Sequence, residues 1–522
     1  MNAQFKLPFN VVLVLAVVLG IGLRWANLAT NVYWVDEVHT ATRIAGYTRN
    51  QVHDRLFDNG FVDVGALKAY QIPEPAQSLT KTWTALEQHP EHPPLYFLLG
   101  RLWLQVWLPF SNDWVLGLRS LSVLISLTLL PGIYWLCHEL FSKQPARQTV
   151  GWVAIALFSM SPLHILYAQE ARQYSLFAAV TVGASAALLR AIRRDRPIGW
   201  LQYTFLLIMG LYSHLLFGLV AIAHGLYLFM MRVSIASLKR YGISLGIGIL
   251  AFMPWLLMLF RYVTQLERAV DATQRGVDLN YLINVWFRNL SRIFFSIDLG
   301  TANLLLLALV GYAFYRLYQD TPRATWLFVV TLIGVSAIPF MMTDGITGGI
   351  SSTRIRYLIP SYVGIQVAIA YLLTRCLSRY PALLPPVLRP TWIWKTVCAV
   401  IMIGMLTASL ADANQVVSWT KSDKAAYYPA IAAAINAAES PVVVSDSSPT
   451  YILALGRLLD DRVSLHLVTR PMSLEPLNAF SDIFVFDPSR RLQRVLEDTW
   501  GYDLQAVVKQ NDSFQLLTAI AR

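Results

Sequence analysis

Cysteine is nearly missing from this sequence, and charge is scarce. The three cysteines among 522 residues, Cys137, Cys376 and Cys398, lie in or beside apolar stretches and show no CxxC spacing. Neither a disulfide framework nor a zinc ribbon is therefore supported, and the three read as small apolar packing residues. Charged residues make up only 14% of the chain against 56% hydrophobic, with a mean hydropathy of +0.48. That balance excludes a soluble globule and points to a polytopic membrane protein. The formal charge of +11 invites a nucleic-acid reading, but no basic stripe interleaved with aromatics occurs outside the apolar segments. Internal repeats between the halves are also lacking, which argues against a transporter.

What the chain has in quantity is apolar runs. They fall near residues 8–28, 116–138, 149–168, 174–192, 198–214, 216–232, 241–262, 299–318, 325–343, 357–374 and 392–411, and predict about eleven transmembrane helices, each close to the length a ~30 Å hydrocarbon core requires. The third and fourth runs, and the fifth and sixth, are separated so briefly that merging of hairpins is the main source of miscounting. An N-terminus in the cytoplasm places Lys143/Arg147, Arg190/Arg193/Arg194/Arg196, Arg232/Lys239/Arg240, Arg316/Arg323 and Arg375/Arg379/Arg389/Lys395 together on the inner face. The first run has no small-residue cleavage site after Arg24-Trp25-Ala26-Asn27 and is expected to stay uncleaved.

The same topology leaves residues 29–115, the turn at Glu170, the loop 263–298, the loop 344–356 and the C-terminal tail outside, so chemistry is expected on the extracytoplasmic face of the cell membrane. Within the first loop, 43–67 and 80–106 mix aromatic, apolar and basic residues as interfacial helices do. The chain thus divides into a transmembrane catalytic domain, 1–411, and a small soluble α/β domain, 412–522. In the latter, helix-like stretches at 425–438, 450–459 and 490–499 alternate with an apolar run at 441–445 and strand-like segments at 463–468, 483–486, 504–509 and 514–519. It has no glycine-rich phosphate loop and no nucleophile elbow, so a structural or acceptor-positioning role is expected of it.

Four constellations carry chemistry. In Tyr33-Trp34-Val35-Asp36-Glu37 two adjacent carboxylates sit just beyond the first span, an expensive position unless they act on something. They either divide catalysis and anchoring between them or cap the interface against Arg24 or Arg43. His89-Pro90-Glu91-His92-Pro93-Pro94-Leu95-Tyr96 presents two imidazoles and a carboxylate on a stiff turn, with His92 able to face an ion or a phosphate. Tyr167-Ala168-Gln169-Glu170-Ala171-Arg172-Gln173-Tyr174 is a polar knot between two spans, closed either by a mutual Glu170–Arg172 pair or by a bound phosphate. Ser351-Ser352-Thr353-Arg354-Ile355-Arg356-Tyr357 places two arginines on the outer face, against the general charge bias, which calls for an anionic partner.

Taken in order, these four motifs resemble the GT-C glycosyltransferases, most closely the family 39 branch of protein O-mannosyltransferase-like and bacterial aminoarabinose-transferase-like enzymes, over residues 7–375. The resemblance implies a GT-C fold, a polyprenyl-phosphate-linked sugar donor, a hydroxyl acceptor on a lipid, glycan or protein, and inversion at the anomeric carbon. It implies that Asp36 is the general base, with Glu37 organising the site. Arg172, Tyr174, Arg354, Arg356 and Tyr357 would bind the donor phosphate. Glu170 and His92 would be the ligands of a divalent metal ion, should the reaction use one, and no organic cofactor is expected. The first loop lacks the Asp-x-Asp that oligosaccharyl-transferring members use for metal. A polysaccharide polymerase or ligase using a lipid-pyrophosphate donor, or a flippase, is the alternative.

Overall fold

A computed structural model describes residues 7–74, 78–264, 267, 271, 273–377, 391–418, 421, 425–469, 477, 480–510 and 514–521. The chain falls into two compact units. A membrane unit comprises residues 1–28, 89–96 and 119–414, and a mixed unit comprises 29–88, 97–118 and 415–522. Compactness thus groups most of the first loop with the C-terminal region, across the division in chain order drawn at 411/412.

Every one of the eleven apolar runs is helical. Among the described residues seven helices are long and apolar enough to cross a membrane, or eight if the bent pair Arg147–Met160 and Pro162–Ala168 is one span, and the chain is a multi-pass membrane protein. Three runs account for the distance from eleven to eight. The first counts as a shorter apolar helix, Asn10–Trp25, and Pro197–Ser213 and Phe217–Met231 have 17 and 15 residues, reaching only about 23–26 Å at 1.5 Å per residue.

Burial sorts the helices into inner and outer. Ile355–Leu377 has 89% of its most apolar window buried, whereas Ile235–Arg261 and Thr391–Ala413 have 22% and 17%. The first is a protein core element, and the other two, which are also the more apolar, present their side chains outward, as lipid-facing helices do. The Ile359–Leu377 segment packs on Arg147–Met160, on Asn303–Asp320 and on Arg323–Thr347, while Tyr174–Arg194 packs on Pro197–Ser213.

Loops expected on the inner face do meet. Gln144 donates to the Asp320 carbonyl at 3.1 Å and Thr325 to the Leu140 carbonyl at 2.9 Å. Arg316 pairs with Asp320 at 2.7 Å, Arg375 reaches the same carboxylate at 3.5 Å, and Arg193 pairs with Glu139. Buried cations are thereby supplied with acids rather than left in an apolar medium.

In the mixed unit a six-stranded sheet has the order β1-β3-β2-β4-β6-β5, with β1 Phe61–Asp63, β2 Pro441–Ser445, β3 Ser464–Leu467, β4 Asp482–Phe486, β5 Tyr502–Gln510 and β6 Phe514–Ala521. β2 runs parallel to β3 and β4, while β1, β6 and β5 pair antiparallel. All five residues of β2 are buried, which suits a central strand covered on both faces. Val442, Val444, Val485, Leu492, Leu496 and Leu517 form the core beneath. The strand-like segments expected in 412–522 are all strands. β1 is the addition: it comes from the first loop, three residues too short to show a period.

The first loop is helical at Val35–Ile44, Arg49–Leu56, Val64–Ala69, Leu79–Glu87 and Leu95–Trp107. The helix Pro449–Gly456 packs against the first three of these. At Gly456 a Cβ would lie 2.6 Å from Leu67 Cδ1, so glycine permits that close approach. Arg457 pairs with Asp113 at 2.8 Å, and Lys68 with Asp461 at 2.7 Å.

Candidate active site

In the membrane unit, the helix Arg147–Met160 and the short helix Pro162–Ala168 meet at 60°. Pro162 removes a backbone donor at the break, and Ser161 Oγ, at the bend, donates to the Ile293 carbonyl at 2.8 Å. The bent pair delivers the polar knot 169–173. Gln169 Nε2 then donates to the carbonyls of Leu23 and Ala26 at 2.8 and 2.9 Å, pinning the knot to the end of the first helix. Glu170, Arg172, Gln173 and Tyr174 are all buried.

Around Tyr174 the sequence motifs converge. The Arg172 and Arg356 guanidinium carbons each lie 5.7 Å from the Tyr174 ring centre, and Arg356 is 5.8 Å from that of Tyr357. His214 stands 6.4 Å from Tyr174 and stacks on Phe177 at 4.6 Å. The Leu216 N–H donates to His214 Nδ1 at 3.2 Å, so this imidazole is an acceptor on that nitrogen. His92 Nδ1 is 3.3 Å from Gln173 Nε2, and its turn is held from the other side by Trp255, whose Nε1 donates to the Pro90 carbonyl at 2.9 Å. Three of the four constellations therefore share one neighbourhood.

The segment 349–358 is fastened independently. Trp286 Nε1 donates to Ser352 Oγ at 2.9 Å, Asn289 Nδ2 to the Thr353 carbonyl at 2.8 Å, and the Ser352 N–H to Asp344. Arg354 and Arg356 are both half-buried, on a backbone that is fixed rather than free. A guanidinium beside an aromatic face keeps its positive charge.

Glu91 sits between two imidazoles, 3.4 Å from His89 and 3.8 Å from His92. Among the described residues no three His, Cys, Asp or Glu side chains stand as a metal-holding group.

Asp36 and Glu37 belong to the mixed unit. They occupy the first turn of the Val35–Ile44 helix, where the free backbone N–H groups favour carboxylates. Their surroundings differ sharply: Asp36 is half-buried, whereas Glu37 is fully enclosed. Lys421 Nζ, itself buried, lies 3.7 Å from Glu37 and 5.6 Å from the Trp34 ring centre. The Val32 N–H donates to the Val416 carbonyl at 2.8 Å, so the segment carrying Lys421 follows the acid-bearing one closely. Arg24, one of two arginines that could have capped the acids, instead donates to the carbonyls of Gly20, Phe158 and Ser159 within the membrane unit. Sequence reasoning missed Lys421, and its only signal is a lysine shortly after the last span.

The arrangement has known counterparts among solved structures. ArnT from Cupriavidus metallidurans bound to undecaprenyl phosphate aligns with 99% of this chain and 99% of its own, at 13% identity and a TM-score of 0.55. AglB, the oligosaccharyltransferase of Archaeoglobus fulgidus in complex with an inhibitory peptide and a dolichol-phosphate, aligns with 87% of this chain and 64% of its own, at 13% identity and a TM-score of 0.50. This chain shares the fold of these two proteins. The likeness to ArnT runs past residue 375, the limit of the sequence resemblance, into the C-terminal region. No protein-family profile and no curated protein sequence matches the chain.

Proposed function

We propose that this protein is an inverting glycosyltransferase of the cell membrane. It moves a sugar from a polyprenyl-phosphate donor to an acceptor hydroxyl on the extracytoplasmic face. The observation that carries the reading is the pair of arginines, Arg172 and Arg356, gathered on the Tyr174 ring at the head of a GT-C helix. Support for the face comes from length. Tyr174 and Arg193 lie near opposite ends of the 21-residue helix Tyr174–Arg194, about 30 Å apart at 1.5 Å per residue. The arginine-rich loops expected in the cytoplasm are thus a membrane's thickness from the candidate phosphate site.

In this reaction the Asp36 carboxylate takes the proton of the acceptor hydroxyl as its oxygen bonds to the anomeric carbon. The bond from that carbon to the phosphate oxygen breaks, and polyprenyl phosphate departs with one more negative charge. Arg172, Arg354 and Arg356 stabilise that growing charge, with Tyr174 and Tyr357 holding the guanidinium planes in place. Glu37, paired with Lys421, fixes the helix turn that presents Asp36.

The test uses membranes containing the protein, supplied with labelled polyprenyl-phosphate sugars. A labelled product that vanishes in Asp36→Asn is expected; near wild-type transfer by that variant removes Asp36 from the mechanism. Activity only with pyrophosphate-linked donors would move the protein to the polymerase or ligase class.

A further inference from the structure

The first loop contains a groove that the proposed chemistry does not use. It has a volume of about 310 Å³ and opens between the helices Arg49–Leu56 and Leu79–Glu87. Arg55 and Lys81 supply two cations, Thr48, Thr80 and Thr84 supply hydroxyls, Tyr47 forms part of the wall, and no lining residue is acidic. The wall is fixed: Tyr47 meets Tyr70 edge to face at 5.1 Å, and the Arg55 guanidinium lies 5.6 Å from the Tyr47 ring centre. Thr82 Oγ1 donates to the Ile44 carbonyl at 2.8 Å, which seats the second helix against the end of the Val35–Ile44 helix.

Two cations at the rim of one concavity, with hydroxyl donors and no carboxylate among its described lining residues, suit a tetrahedral oxyanion. Both helices also begin at this groove, Thr48 being the N-cap of the first and Ser78 that of the second, so their backbone dipoles add potential of the same sign. We infer that this groove is a phosphate-binding subsite. In the proposed transferase it holds a phosphate carried by the acceptor, and this second half rests on the functional reading above. Gly46, in the groove wall, follows the C-cap Ala45 of the Val35–Ile44 helix, so the groove begins about 15 Å along that helix from the general base. That separation selects an acceptor whose phosphate is remote from the hydroxyl that reacts.

Binding can be tested without any transfer reaction. The full-length protein in phosphatidylcholine nanodiscs is titrated with inorganic phosphate, followed by phosphorus NMR line width. In a second arm, retention of phosphatidylglycerol over phosphatidylcholine is read by native mass spectrometry. The variant Arg55→Gln/Lys81→Gln is compared with Arg490→Ala/Arg491→Ala, which removes as much charge from exposed positions of the same unit, and melting curves check that both fold. Loss of at least about tenfold in phosphate affinity in the groove variant alone supports a water-borne phosphate ligand. Loss of phosphatidylglycerol selectivity in that variant alone supports a lipid headgroup as the source. Unchanged behaviour in both arms, or equal loss in the control, overturns the site. A failed transfer assay with intact phosphate binding would instead count against the transferase reading.

Discussion

Two sites in this protein hold charge in different ways. Around Tyr174 the membrane unit places two guanidinium groups near aromatic rings, an arrangement that preserves the positive charge. At the head of the first loop the mixed unit buries a carboxylate and an ammonium against each other, Glu37 with Lys421. The first arrangement is suited to a ligand that comes and goes. The second fixes a backbone turn, since a buried pair broken on one side leaves an uncompensated charge. Both units join elements far apart in the chain: Ile359–Leu377 packs on Arg147–Met160, and β1 pairs with a strand some 400 residues later.

The contrast can be broken in graded steps. Largest is Asp36→Asn, expected to cut turnover by about 10²–10⁴ while leaving the melting temperature unchanged, since general-base assistance is worth that much. A kinetic and melting comparison checks it, and a large drop in stability would make Asp36 structural like its neighbour. Next is Arg356→Ala, expected to lower kcat/KM for the lipid-phosphate donor about 10- to 100-fold, the worth of a charge-assisted hydrogen bond. Arg356→Lys should recover little of it, because an ammonium lacks the guanidinium's planar, bidentate donor set.

Third is Lys421→Met. It strands a buried carboxylate and should cost about 3–5 kcal/mol, whereas Glu37→Met/Lys421→Met should regain most of that. Thermal unfolding of the purified protein decides it; additive losses would show that the two residues do not act as a pair. Smallest is Asp63→Ala. Asp63 Oδ1 accepts the Ala66 N–H at 2.6 Å as an exposed N-cap, so its loss should cost about 1 kcal/mol, visible as faster protease nicking of the first loop and no change in donor kinetics.

Much of the fold was legible because its signals are local. An apolar run that must satisfy every backbone group within itself becomes a helix wherever it is placed, and all eleven runs did. The strands of the C-terminal region were equally plain, since alternation and β-branched residues mark each one separately. The helices at 197–213 and 217–231 were read to within one residue at each end. Of the candidate site, Arg172, Tyr174, Arg356 and His92 stood out through position: polar residues at span ends are costly unless used. Lys421 did not, for a lysine beyond a span is ordinary until a partner is seen. β1 was invisible for the same reason, being three residues whose strand character exists only opposite His466, Leu465 and Ser464.

By itself, then, the amino-acid order determined that this chain lives in a membrane, where its helices lie, and which polar residues cluster at their ends, because hydrophobic transfer and backbone hydrogen bonding act over a few turns. Only the tertiary structure decided that Arg356 meets Tyr174, that Glu37 is locked to Lys421, and that the first loop adds a strand to a sheet made almost wholly of residues beyond 440. Those pairings join residues far apart along the chain, and their energy comes from desolvation and shape at a shared location that no short window of sequence contains.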